Sequence, residues 1–194
     1  MDDRTKRWDE RYRRGEETYD YVPSPPLPST VASEPPGLAL DLACGAGRHA
    51  LYLAESGWRV VAVDASAEGI ALLVREATRR GVAERIEARV VDLTESAEVL
   101  APDAFDLVCD FYYLERPLFE RVRHAVRPGG LLAAAIHVEA PDAPHRFLLR
   151  PGELEALATG WGWEILHARE GGSREEGHRH STAELVARKP RGAR

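Results

Sequence analysis

Four acidic residues close apolar runs and are each followed by a turn: Asp41 in LALDLACGAG, Asp64 in VVAVDAS, Asp92 in ARVVDLTE and Asp110 in VCDFYY. The first carries the strongest pattern. In LALDLACGAGRHALYLA a strand ends on Asp41, a small-residue turn of Ala43, Cys44, Gly45, Ala46 and Gly47 follows, and a helix begins at once. Backbone N–H groups and a helix N-terminus then face the crevice above the strands, which suits a ligand carboxylate. Gly45 and Gly47 let that ligand approach without a Cβ in the way. Asp64, with Ala65 behind it, ends the next strand, where its carboxylate reaches past the sheet edge and accepts two hydrogen bonds from a ribose diol. Asp92 and Leu93 end the third strand, where Asp92 or Thr94 also suits a helix cap.

Gly45, Gly47 and Ala50 formally satisfy the dinucleotide pattern GxGxxA, with Asp64 at the distance of a ribose-binding acid, so a nicotinamide-dependent reductase is one alternative. Asp41 argues against it. A pyrophosphate would lie beside this carboxylate, whereas a cationic amino group would be drawn to it. On the acceptor side the candidates are Asp110, Phe111 and Tyr112 after strand four, and His49 at the start of the first helix. Arg146 joins them as an anion-attracting group together with Arg48, His145 and Arg174. His178 and His180, two apart beside Glu175 and Glu176, lack a third soft ligand and read as solvated, so no metal site is expected.

The elements that must position these groups alternate. Strands are predicted at 38–43, 58–64, 85–93, 105–111 and 131–138, with helices at 47–57, 66–81 and 115–126 between them, the pattern of a parallel sheet covered on both faces. The ending differs: a short helix at 151–160 precedes strands at 163–170 and 181–189, which a loop without a helix joins, so they pair antiparallel. Ahead of all this, residues 4–14 suit a helix that Gly15 ends. The stretch Val22–Pro36 holds six prolines and is expected to be an extended linker. The chain thus divides into an arm and linker, 1–36, and one α/β domain, 37–190.

With 194 residues there is room for one such domain and no separate substrate domain. The net charge of −6 disfavours nucleic acid, whose binding calls for a basic face. Apolar stretches fall short of the roughly 20 residues of a membrane span, and the charged start MDDRTKRWDERYRR does not resemble a secretory signal, so a cytoplasmic protein is expected. Its only cysteines, Cys44 and Cys109, read as reduced and structural. A monomer or homodimer acting on a small molecule fits these bounds.

The run from Asp41 to Gly47 resembles the first motif of the class I S-adenosylmethionine-dependent methyltransferases, acidic-x-Gly-x-Gly-x-Gly, with Ala43 in place of the first glycine. The resemblance implies a single Rossmann-like domain with a mostly parallel seven-stranded sheet, a C-terminal antiparallel hairpin and helices on both faces. It also implies S-adenosylmethionine as cofactor and S-adenosylhomocysteine as product. Asp41 and the turn would hold the methionine part, Asp64 the ribose, and Asp92 and the Leu93 N–H the adenine. Asp110-Phe111-Tyr112-Tyr113 lacks the two prolines of the nucleic-acid and protein-nitrogen methylating types.

WDERY (8–12), YLERPLF (113–119), FLLRPGEL (147–154) and AELVARKP (183–190) add, by their order, a likeness to the tellurite-resistance (TehB-like) and thiopurine methyltransferase-related group. That likeness implies an arm folded over the cofactor, with Trp8 and Tyr12 as its lid. A soft acceptor, a thiol or chalcogen oxyanion, is expected because no general base is visible. A non-catalytic S-adenosylmethionine-binding sensor or subunit is the alternative of another class.

Overall fold

The computed structural model describes residues 3–15, 21–96, 98–140, 147–172 and 180–192. Its elements in chain order are α1 (Asp3–Arg14), α2 (Leu27–Ala32), β1 (Leu38–Leu42), α3 (Arg48–Glu55), β2 (Arg59–Asp64), α4 (Ala67–Arg80), β3 (Ile86–Val90), β4 (Phe105–Phe111), α5 (Phe119–Ala125), β5 (Val126–Val138), α6 (Glu153–Gly160), β6 (Glu164–Gly172) and β7 (Ser181–Arg188). One seven-stranded sheet runs β3-β2-β1-β4-β5-β7-β6. The first five strands pair in parallel, and β7 enters antiparallel between β5 and β6.

The sheet is buried on both sides because its central strands are apolar throughout. Leu40, Leu42, Val61, Val63, Val108 and Leu132 point into one core. Ala39, Val60, Ala62, Leu107, Cys109 and Ala133 point into the other. The α4 helix shows how locally encoded the covering layer is. Ser66 caps it by accepting the Gly69 N–H at 3.0 Å, Ile70, Leu73 and Ala77 form its buried stripe, and Gly81 ends it at φ +70°. By contrast β6, at the sheet edge, alternates exposed and half-buried residues, the period-two pattern of a one-sided strand.

Three expectations need correction. The Val22–Pro36 stretch is not wholly extended. It contains α2, whose first turn tolerates Pro28 because N–H groups there have no partner inside the helix, and it buries Leu27 and Ser24 completely. Strand β5 starts at Val126 rather than 131, because the Gly129 N–H donates to the Lys189 carbonyl and the Lys189 N–H to that of Gly130, each at 2.9 Å, extending the pairing past Pro128. Strand β3 stops at Val90 rather than 93, since the chain turns at Asp92.

Candidate cofactor and acceptor site

Asp41 lies at the C-terminal end of β1, 1% exposed, and neither of its carboxylate oxygens has a hydrogen-bond partner of good geometry. Burial pushes its pKa up to about 7; the Ala50 amide and the Arg48 guanidinium partly oppose this, while Asp64 adds to it. The turn beyond it is left-handed at Ala43 (φ +49°), Gly45 (φ +55°) and Gly47 (φ +88°). It is closed by the Gly47 N–H on the Cys44 carbonyl and fastened to β2 by the Cys44 N–H on the Val63 carbonyl, both at 2.9 Å. Gly47 is the N-cap of α3, so the helix starts directly over the strand ends.

Asp64, at the end of β2, accepts the Gly45 N–H at 2.8 Å on one oxygen and the Ser66 N–H at 2.7 Å on the other. Burial raises its pKa, and these two amides oppose the rise. The residue therefore shapes the glycine turn, and each of its oxygens can accept a further hydrogen bond. Asp92 accepts the Thr94 N–H at 2.9 Å and its hydroxyl at 2.6 Å, closing a turn where a helix cap had been the alternative, with buried Leu93 between them.

The arm reaches this end of the sheet. Asp9 on α1 is buried and accepts the Ser66 hydroxyl at 2.5 Å and the Glu68 N–H at 3.4 Å, while Arg13 pairs with Glu68 at 2.9 Å. A carboxylate at the start of α4 is favoured there by the unpaired amides of its first turn. Tyr12 is thereby laid on the glycine turn: a Cβ added at Gly45 would overlap its hydroxyl, and one at Gly69 would come within 3.1 Å of its ring. Trp8 stacks on Tyr12 at 5.8 Å, carries Arg11 at 4.5 Å, and stays 39% exposed.

At the end of β4, Asp110 is buried, one oxygen lacks any partner, and burial together with Asp41 raises its pKa to about 8. Phe111 stacks on His49 at 4.1 Å. His49 was expected to meet substrate. Instead it is 5% exposed, and its Nε2 accepts the Ser24 N–H at 3.3 Å and lies 3.0 Å from the Ser24 hydroxyl, so it pins the linker. Tyr112 has φ +62°, a left-handed conformation costly for a side chain this size, and its N–H donates to the Ala135 carbonyl at 2.7 Å.

Tyr112 anchors a row of side chains of which sequence reasoning named Arg48 and Tyr112 as candidates but missed His137. The Arg48 guanidinium lies 5.8 Å from its ring centre, His137 of β5 packs on it at 4.8 Å, and His180 follows 5.6 Å further on. Nδ1 of His137 meets the Thr182 hydroxyl of β7 at 3.4 Å. The available signal was one imidazole at the end of an otherwise apolar strand, LLAAAIHV. Arg146, His145, Arg174 and His178 lie outside the described residues. A separate cavity of about 500 Å³, lined by Trp163, Arg188, Lys189 and Arg191 among others, sits at the opposite end of the sheet. Its Arg188 and Lys189 are engaged by Glu34 and Asp103.

These residues fit a ligand with a cationic amino group and a carboxylate: buried Asp41 has unpartnered oxygens, and the glycine turn has room only while no Cβ is present. Comparison with known proteins agrees. The methyltransferase domain family matches residues 39–130. The ubiquinone biosynthesis O-methyltransferase of Sinorhizobium medicae (strain WSM419) is 30% identical over 151 residues, 65% of this chain and 59% of that protein. Glycine N-methyltransferase of Mus musculus is 32% identical over 110 residues, 48% of this chain and 38% of its own. The chain thus spans less than two thirds of the length of these curated relatives.

Among solved structures, TehB from Haemophilus influenzae superposes with a TM-score of 0.70 at 21% identity, covering 84% of this chain and 61% of that one. The Burkholderia thailandensis 1,6-didemethyltoxoflavin-N1-methyltransferase, solved with S-adenosylhomocysteine, gives 0.70 at 20% identity over 96% and 87%. At such identities the likeness is one of fold.

Proposed function

We propose that this chain, whose residues 39–130 match a methyltransferase domain family, is a class I S-adenosylmethionine-dependent methyltransferase that transfers a methyl group to a small molecule held above the C-terminal ends of β4 and β5. The observation that carries this reading is Asp41, a buried carboxylate with two unpartnered oxygens beside a left-handed glycine turn. A ligand ammonium completes it, and a pyrophosphate would be repelled.

Asp41 and the Ala43–Gly47 turn would hold the methionine part of S-adenosylmethionine, Asp64 and Ala65 its ribose, and Asp92 and Leu93 its adenine. Bound there, the cofactor supplies an activated methyl group. The chain's own contribution is then to orient the acceptor and exclude water, and orientation alone is worth effective molarities on the order of 10⁵ M or more. Asp110 and the Tyr112 row would meet the acceptor. The net charge of −6 supports a small-molecule acceptor over nucleic acid. Among the described residues no helix is long and apolar enough to cross a membrane; a cytoplasmic monomer or homodimer completes the proposal.

The test is methyl transfer from labelled S-adenosylmethionine to a panel of thiols, tellurite, selenite, phenols and amines, with thermal shift by S-adenosylhomocysteine and NADPH alongside. Stabilisation by S-adenosylhomocysteine without turnover of any acceptor would point to the sensor, and stabilisation by NADPH to the reductase. The lack of a visible base in the sequence supports a soft acceptor, a thiol or chalcogen oxyanion.

Two residue-level results are expected. Asp64→Ala removes the acceptor of the Gly45 and Ser66 amides as well as the ribose partner. Calorimetry should show S-adenosylhomocysteine affinity at least about tenfold weaker, equivalent to about 1.4 kcal/mol; unchanged affinity in a folded variant rejects the assignment.

Removal of residues 1–20 takes away Tyr12, Asp9 and Arg13 but keeps Ser24 and α2. The melting temperature should fall only slightly while turnover falls steeply, as when a lid is lost. Normal turnover would reduce Trp8 and Tyr12 to packing.

A further inference from the structure

We infer that Asp9 of the N-terminal arm is a positioning residue for the ribose carboxylate: through the Ser66 hydroxyl it fixes Asp64, so that docking of α1 and binding of a ligand's ribose diol favour one another. The inference rests on the cofactor site proposed above and deepens it, and it requires no contact between Asp9 and the ligand. The first observation is the face on which α1 docks. Thr5 and Asp9 are buried and Tyr12 is half-buried, whereas the residues between them, Trp8 included, are exposed. These positions form one stripe along the helix, and on a surface helix such a stripe is ordinarily apolar. Here it is polar. A helix held by hydrogen bonds gains little from burial, so a modest ligand-dependent difference is enough to shift its docking.

The second observation is where the stripe lands. Asp64 is oriented by two amides, that of Gly45 at 2.8 Å and that of Ser66 at 2.7 Å, and α1 rests on both donors. From one face of the helix Asp9 accepts the Ser66 hydroxyl at 2.5 Å, and Tyr12 lies against Gly45, where an added Cβ would overlap its hydroxyl oxygen. Ser66 is 1% exposed, and its hydroxyl oxygen also accepts the Gly69 N–H at 3.0 Å. A short bond from hydroxyl to carboxylate is of the strong, charge-assisted kind. Arg13 adds an ion pair to Glu68 at 2.9 Å.

Ser66 is therefore held by the arm through its side chain and by Asp64 through its amide. Loss of the Asp9 oxygen removes the first anchor and loosens the amide that aims one oxygen of Asp64. Conversely, a diol that immobilises Asp64 leaves the Ser66 donor in place for the arm. Such coupling is reciprocal, each event strengthening the other by one common factor. The charge of Asp9 acts in the opposite sense: burial, and to a smaller extent Asp9, raises the Asp64 pKa, while the two amides lower it. The two effects are separable, because an asparagine keeps the acceptor oxygen and drops the charge.

The experiment compares, by calorimetry on the full-length protein, S-adenosylhomocysteine with its 2′,3′-dideoxy analogue, which lacks only the diol. The wild-type protein should prefer the diol at least about tenfold, as hydrogen bonds to a charged group imply. Asp9→Ala should narrow that ratio to below about threefold by weakening S-adenosylhomocysteine alone, and Asp9→Asn should preserve it. S-adenosylhomocysteine, but not the analogue, should also slow hydrogen exchange of the α1 amides in the wild-type protein. An arm that is merely structural would weaken both ligands equally in D9A and leave the ratio intact. That result, unchanged affinities, or equal slowing of exchange by both ligands overturns the inference. Loss of the ratio in D9N as well assigns the effect to charge and overturns the relay through Ser66. If S-adenosylhomocysteine fails to bind the wild-type protein, the methyltransferase reading falls; if it binds without preference for the diol, that reading stands and this inference does not.

Discussion

Gly47→Ala is expected to lower S-adenosylhomocysteine affinity by at least a hundredfold and to destabilise the protein by about 2–4 kcal/mol. Two separate costs combine. Gly47 has φ +88°, where an L side chain is strained, and an added Cβ would overlap Cδ1 of Leu73 and lie 2.9 Å from its Cγ. Leu73 cannot step aside, being fully buried on α4 between the helix and the sheet. The turn must therefore shift, and with it the amides of Gly45 and Gly47 and the start of α3. Gly81→Ala is the control, because its φ of +70° is equally left-handed but no atom lies within 4 Å of the added Cβ. It should cost only about 1 kcal/mol and leave binding intact. Urea denaturation and calorimetry on both variants check this. Equal binding losses would show that the space at Gly47 is unimportant.

Stability should fall as pH rises from about 6.5 to 8, and Asp110→Asn should remove most of the fall. Asp41 and Asp110 titrate near 3.8 in an unfolded chain but near 7 and 8 in the folded one, both because of burial. A raised carboxyl pKa means that the folded state holds the proton longer. The associated stability is therefore fully present below about 3.8 and is lost progressively up to the folded value. Each group changes stability by about 1.4 kcal/mol per pH unit while it stays protonated only in the fold.

Two opposing groups define the useful window. His49 has its pKa lowered well below 6.5 by burial, so it costs stability only as pH falls under 6.5. Glu76, held near 2 by hydrogen bonds from Arg79 and Arg80, acts only below its ordinary 4.5. Between about 6.5 and 8 the aspartates remain. Urea midpoints across this range should report a loss on the order of 2 kcal/mol for the wild-type protein. A flat profile, or one that D110N leaves unchanged, would mean that Asp110 is ionised in the folded protein.

Much of this site is legible along the chain because its chemistry is local. Asp41, Gly45 and Gly47 lie within seven residues, and a strand, a left-handed turn and a helix start can be read there from residue types alone. Asp64 and Ser66 are equally local, and the Ser66 cap and Gly81 stop delimit α4 as their types imply. The alternation of elements and the missing helix between the last two strands determine the strand directions, since a parallel pair needs a crossover and an antiparallel pair does not.

What the tertiary structure decided are the contacts between segments far apart in sequence. Ser24 meets His49 across 25 residues and Asp9 meets Ser66 across 57, which turned an expected extended linker into a buried strap and His49 from a substrate contact into its anchor. Proline count signals a lack of backbone donors, but it does not reveal that Leu27 has a core to enter. His137 stands beside Tyr112 and Thr182 because β4, β5 and β7 are neighbours in the sheet. No periodicity within any one segment encodes that proximity, since it comes from the register between strands and not from the sequence of any of them.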